Sequence, residues 1–314
     1  MNGFKVLRSG IYSLLQDGGR FGQHQTGLTT GGPLDPLAFH WANRLCENPL
    51  NAAAVEITLG GLVLEALSDT RISLTGADIP LTINGVPKPL WQTHQVKAGD
   101  RIETGFSRRG TRGYLAVAGG ILAQPVFGSV ATVPRESLGG LKGDGSPLEK
   151  GDVLPCDEDP ATNCWQLPAN AHPYYGNEVT LRIIPGYQQQ DFTREQQRLF
   201  FSSTYKVTPQ NDRMGFRLQG PAIVPPTQGL LSEGICLGAV QIPPDGQPIV
   251  LLNDRQTIGG YPKIGAVLSL DIGKLAQLNQ GSRVSFKPIS IDQAHKLLHA
   301  QEKQFALTGL ERVS

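Results

Sequence analysis

Long hydrophobic runs are missing from these 314 residues. No stretch approaches the roughly 18 apolar residues that a membrane-spanning helix needs. The opening MNGFKVLRSG also lacks the apolar h-region of a secretory signal, so the expectation is a soluble, cytoplasmic protein. Cysteine is scarce, and Cys46, Cys156, Cys164 and Cys236 form no C-x-x-C pattern. A chain of this length does not need disulfides to hold together, and reduced, mostly buried thiols are expected. Charge of one sign is lacking too. With 28 Lys+Arg against 27 Asp+Glu the formal charge is +1, which excludes a general attraction to nucleic acid or to an anionic membrane and makes any recognition local. Walker A, G-x-S-x-G and H-E-x-x-H signatures are absent, as is a dinucleotide fingerprint in its strand, turn and helix context.

What the chain does hold is punctuation. Its 38 glycines and 23 prolines follow no period, and they separate many short β-branched or alternating runs. Strands are expected at Ala54–Thr58, Leu62–Ala66, Arg71–Thr75, Gln95–Val96, Arg101–Glu103, Tyr114–Ala118, Val179–Ile184, Val267–Asp271 and Val284–Pro288. Asn84-Gly85 reads as a type I′ hairpin turn, and Asp245-Gly246 as a second hairpin joining Ala239–Ile242 to Ile249–Leu252. Helices are few. Asp35 as N-cap and Pro36 at the first position open one, with Ala38, Trp41, Ala42 and Leu45 on its apolar stripe. Another covers the amphipathic stretch DQAHKLLHAQEKQFAL, and a short one begins near Asp191. The spacing predicts a mainly β protein of barrels or sandwiches. Strand character fades between Gly139 and Asn177, so the boundary is expected near residue 165, dividing the chain into domains 1–165 and 166–314.

Three polar segments draw attention. In QDGGRFGQHQTGLTTGGPLD, Gln16, Asp17 and Arg20 stand among glycines that let a backbone approach a ligand closely. Pairing of Asp17 with Arg20 under an irregular lid is the plain alternative. NDRMGFRLQGP carries Asp212, Arg213 and Arg217, and NDRQTIGGYPKIG carries Asp254, Arg255, Tyr261 and Lys263. A guanidinium fork beside a carboxylate at a strand end can grip a planar amide or carboxylate, and a lysine adds a mobile cation suited to phosphate. His295 and His299 lie four apart on an expected helix, but no third ligand accompanies them, so no metal site is expected.

Taken in order, these three segments resemble the family of the 5-oxoprolinase C subunit, also described as KipA-like or allophanate hydrolase subunit 2-like and related to the carboxyltransferase part of urea carboxylase. The likeness runs from about residue 5 to residue 290. It implies two cyclophilin-like β-barrel domains, and partnership with the B and A subunits of 5-oxoprolinase, the former KipI-like. It further implies ATP, with Mg²⁺, as the driver of 5-oxoproline opening to glutamate. By motif it assigns Asp254, Lys263 and Tyr261 to the chemistry, and Arg255, Asp212, Arg213, Arg217, Gln16, Asp17 and Arg20 to substrate binding. The stretch GSVATVPRESLGGLKGDGSPLEKGD lacks a final arginine that many members carry, with Arg135 and Lys142 nearby. Relatives work on urea-like groups or biotin-carried carboxyl groups, and others have a regulatory role without turnover. No biotin-accepting lysine motif is present, so a biotin carrier would come from elsewhere.

Overall fold

The structure is a computed structural model that describes residues 2–226 and 231–313. The chain divides into two compact units, one of residues 1–22, 30–175 and 308–314, the other of residues 23–29 and 176–307. The change falls after Tyr175, whereas loss of strand character suggested residue 165. Trp165–Gln166 still pairs with Glu311–Arg312 inside the first unit, which carries that unit past the expected boundary.

The first unit is built of two sheets. One has six strands in the order Val153–Pro155, Gly3–Ser9, Leu62–Ala66, Arg101–Thr104, Leu81–Ile83, Val86–Lys88. The other has five, in the order Tyr12–Gln16, Ala54–Thr58, Arg112–Val117, Thr70–Gly76, Thr93–Val96. Phe4, Leu64 and Ile102 from the first sheet and Val55, Leu74 and Leu115 from the second belong to one buried cluster, so burial of both inner faces holds the sheets together. Asn84 and Gly85 have φ of 52° and 77° between paired strands, as the I′ turn requires.

Helix α1 (Pro36–Leu45) forms where its caps place it. Asp35 Oδ1 accepts from the Ala38 N–H at 3.2 Å, and Pro36 occupies the first turn. Its buried face rests on the five-stranded sheet, whose Ser73, Thr75 and Thr93 hydroxyls donate to the helix carbonyls of Ala42, Ala38 and Leu45.

The second unit contains a closed seven-stranded barrel. Its order is Glu178–Pro185, Lys263–Val267, Ala239–Gln241, Ile249–Leu251, Gly215–Gln219, Thr204–Asn211, Arg283–Pro288, closed by parallel pairing of the last with the first. Mainly β architecture is thus what the sequence led us to expect, and of the two barrels that the resemblance implied, a closed one is found in this unit, while the other unit has the two-sheet arrangement. Ala239–Gln241 and Ile249–Leu251 do form a hairpin, but only Gly246, with φ of 74°, is left-handed in its loop. Two further helices stand where expected, α2 (Arg194–Ser202) and, at the far end, α4 (Ile291–Leu307), while α3 (Ser269–Ala276) lies between them.

Helix α3 corrects the strand expected at Val267–Asp271. The alternation of Leu268, Ser269, Leu270 and Asp271 reads as period two, yet the strand ends at Val267 and the chain turns helical. Asp271, in the first turn of α3, accepts from Arg182 Nε at 2.7 Å and Nη2 at 2.6 Å, fixing that turn against the barrel. A partner 89 residues away in sequence thus overrides the local pattern. Among the described residues no helix is long and apolar enough to cross a membrane.

Candidate functional site

The second unit holds a cavity of about 310 Å³ beside its barrel wall, near the small end of the range for ligand sites. Lys263, Glu233, Tyr187, Gln188, Cys236 and Ala239 are among the residues lining it. Lys263 begins a barrel strand, Tyr187 and Gln188 follow the strand that ends at Pro185, and Glu233 sits in a two-residue ribbon paired with Ile258–Gly259.

Glu233 is the hub. Its carboxylate accepts from the Lys263 ammonium, from the Tyr187 hydroxyl and, at 2.9 Å, from Gln188 Nε2. Gln188 Oε1 in turn accepts from the Lys263 backbone N–H at 2.8 Å. Hydrogen bonding from Lys263, reinforced by Tyr187, holds the Glu233 carboxyl below the usual carboxylate range. The same carboxylate, by accepting from the Tyr187 hydroxyl, pushes that phenol up. The result is an ammonium held by a carboxylate on a small cavity otherwise rich in glycine and apolar side chains, an arrangement that can offer hydrogen-bond donors to a polar ligand.

The other residues singled out in this unit do different work. Arg213 and Asp254 meet in a buried bidentate pair, Nε to Oδ2 at 2.8 Å and Nη2 to Oδ1 at 2.9 Å. The two Asn-Asp-Arg tripeptides therefore lie side by side, also joined by Asp254 N–H to Arg213 C=O at 2.9 Å. Arg255 is buried as well, donating to the carbonyls of Ile235 and Leu252, and burial lowers its pKa. Asp212 turns its own loop, its Oδ1 accepting from Met214 and Gly215 N–H. Arg217 pairs with Asp245 at the surface, and Tyr261 is 45% exposed and outside the set that lines the cavity. Of this group the structure brings Lys263 to the cavity, while Asp254 and Arg213 come together elsewhere in the loops.

In the first unit, Gln16, Asp17 and Arg20 anchor one segment. Gln16 Nε2 donates to Thr132 C=O at 3.0 Å, and Asp17 accepts from Ser129 Oγ and from the Val130 N–H. Arg20, fully buried, donates to the carbonyls of Val126, Ser129 and Ala131. Asp17 and Arg20 thus bind the 126–132 segment. Arg135 and Lys142 form surface ion pairs with Glu136 and with Glu149 and Asp152.

Glu233, Tyr187 and Gln188 escaped the sequence reading, because no motif surrounds them. Their one available signal was placement directly after a strand or within a short Gly-containing run. Among the described residues no group of three or more His, Cys, Asp or Glu converges in a way that could hold a metal ion.

Residues 26–288 match the carboxyltransferase domain family, subdomain A and B. The chain is 39% identical to the 5-oxoprolinase C subunit of Escherichia coli K12 over 309 residues, covering 96% of each protein. It is 34% identical to the 5-oxoprolinase C subunit of Haemophilus influenzae over 289 residues, covering 92% of each. Among solved structures, the Kluyveromyces lactis urea carboxylase superposes with a TM-score of 0.87 at 28% identity, over 96% of this chain and 29% of that one.

Proposed function

The chain belongs to the carboxyltransferase domain family that includes the 5-oxoprolinase C subunit, and on that premise we propose that it is one component of an ATP-dependent 5-oxoprolinase, contributing a pocket for the amide-like substrate. The observation that carries this reading is the lysine of the DRQTIGGYPKIG segment, Lys263, standing on the barrel cavity with its ammonium oriented by Glu233.

A five-membered lactam resists hydrolysis because water must break amide resonance and expel a poor leaving group. Transfer of the ATP γ-phosphoryl to the carbonyl oxygen, releasing ADP, lowers both obstacles. Attack of one water on that carbon and cleavage of the C–N bond, with the departing amine taking up a proton, then open the ring to an acyl phosphate of glutamate, and a second water displaces phosphate to leave glutamate. Such chemistry consists largely of positioning and of neutralising negative charge.

Lys263 meets the substrate's negative charge, and Glu233 with Gln188 holds the ammonium in place. Tyr187 closes one side of the cavity. Asp254 acts through its pair with Arg213, setting the loop from which Arg255 and Lys263 follow. ATP, with Mg²⁺ on its phosphates, and the KipI-like B and the A subunits belong to the assembled enzyme. Co-purification with the products of neighbouring genes, followed by an assay of 5-oxo-L-proline-stimulated ATP hydrolysis, tests this reading. Stimulation by the lactam supports it, and its absence sinks it.

The likeness to urea carboxylase favours one other reading, a component that receives a carboxylated biotin from a separate carrier. Loss of activity on adding avidin would select that reading; indifference to avidin selects ATP activation.

A further inference from the structure

We propose that Gln241 is the residue that reads the amide edge of the ligand, selecting a ring whose N–H and C=O lie side by side. This rests on the cavity reading given above. Gln241 is 1% exposed, and its Nε2 has no hydrogen-bond partner among the described residues. Buried donors are nearly always paired, so an orphaned one points to a partner that arrives from outside.

Its position says which partner. Gln241 is the cross-strand neighbour of Lys263 at a register shift in that ladder, and Ala239, two residues earlier on the same strand and therefore on the same face, lines the cavity, with Gln241 itself buried outside the lining set. On the other side it pairs with Ile249, which packs against the cluster of Ile235, Ala239 and Leu251 on that face. The Glu233–Gly234 ribbon pairs with Ile258–Gly259, and Gly259 comes next to the Gln241 amide. A Cβ at Gly259 would lie 3.3 Å from Gln241 Nε2 and 2.7 Å from Ile235 Cδ1, so a side chain there would crowd the carboxamide. The amide is thereby framed by Lys263, Gly259 and the strand that carries Glu233.

A carboxamide offers one donor and one acceptor about as far apart as the C=O and N–H of a cis amide, and the two close a pair of hydrogen bonds. Lactams, cyclic ureas and imides present that edge; an open-chain trans amide does not. With Lys263 beside it, the geometry selects a cyclic amide that also bears a carboxylate.

The test uses the complex purified with its partner proteins, assayed for ATP hydrolysis driven by 5-oxo-L-proline or by its N-methyl derivative, which keeps the carbonyl and loses the N–H. The wild type is expected to show a KM for the N-methyl compound about tenfold or more higher. Gln241→Met, which fills the same space without a polar group, is expected to raise the lactam KM by a similar factor and to erase the discrimination, with Tm unchanged or higher. A purely structural glutamine would instead lower Tm and leave the discrimination intact. Wild-type KM and discrimination in Gln241→Met overturn the inference. Should that variant fail to fold, equal KM values for the two compounds with the wild type overturn it equally. Lys263→Ala assayed in parallel separates the two ideas. If it loses turnover while Gln241→Met keeps the wild-type lactam KM and discrimination, only the inference about Gln241 fails; if Lys263→Ala also turns over normally, the cavity reading fails with it.

Discussion

Arg213 and Asp254, 41 positions apart in sequence, face each other with two parallel charge-assisted hydrogen bonds, and both side chains are less than a tenth exposed. Removing one member strips the bidentate contact from a charge that stays buried, which costs about 3–5 kcal/mol. Arg213→Ala and Asp254→Ala should therefore each lower the unfolding free energy by that order, measured by urea denaturation. A loss under about 1 kcal/mol for either would mean that the pair does not organise these loops.

A second buried carboxylate makes stability depend on pH. Burial alone would raise the pKa of Asp271, but bonds from the Arg182 side chain, from Lys274 and from the Arg182 backbone N–H outweigh it and hold it below the usual range. A depressed folded-state pKa contributes stability above the unfolded value, and that contribution is lost as pH falls through the folded value. Tm should thus decline as pH drops below about 4, and Asp271→Asn should be less stable at pH 7 while showing a shallower acid decline. Parallel Tm curves for wild type and variant would contradict this account.

These two pairs mark what the sequence can and cannot reveal. Strands such as Ala54–Thr58, the turn at Asn84-Gly85 and the cap at Asp35 are written in local pattern, and local pattern suffices for them. The repeated Asn-Asp-Arg was visible as chemistry, but that one copy's arginine would hold the other copy's aspartate depends on barrel topology. Arg182 overriding the period-two pattern at Leu268–Asp271 is the same lesson in secondary structure. At the cavity, Lys263 could be picked out because it closes a polar motif, whereas Glu233 and Gln188 acquire meaning only when the barrel wall brings them to it.

The cysteines give a chemical probe of the cavity. Burial pushes the Cys46 thiol up to about 12 and the Cys156 thiol to about 11, and burial also raises Cys164, while Cys236 is exposed on the cavity lining. Because the thiolate is the reacting form, iodoacetamide should alkylate Cys236 first. Saturating 5-oxo-L-proline should slow that alkylation several-fold, read by mass spectrometry of the peptide. Unchanged labelling would indicate that the ligand does not enter this cavity.

The oriented ammonium of Lys263 is the centre of the account, and its removal is the most direct test. The complex should be reconstituted with Lys263→Ala and assayed for glutamate formation from 5-oxo-L-proline and ATP, with Tm measured alongside. The expected result is a loss of kcat/KM of about a hundredfold or more, corresponding to at least about 2.7 kcal/mol of lost transition-state stabilisation, with Tm within a few degrees of wild type. Turnover within a few-fold of wild type in a properly assembled complex would contradict the account.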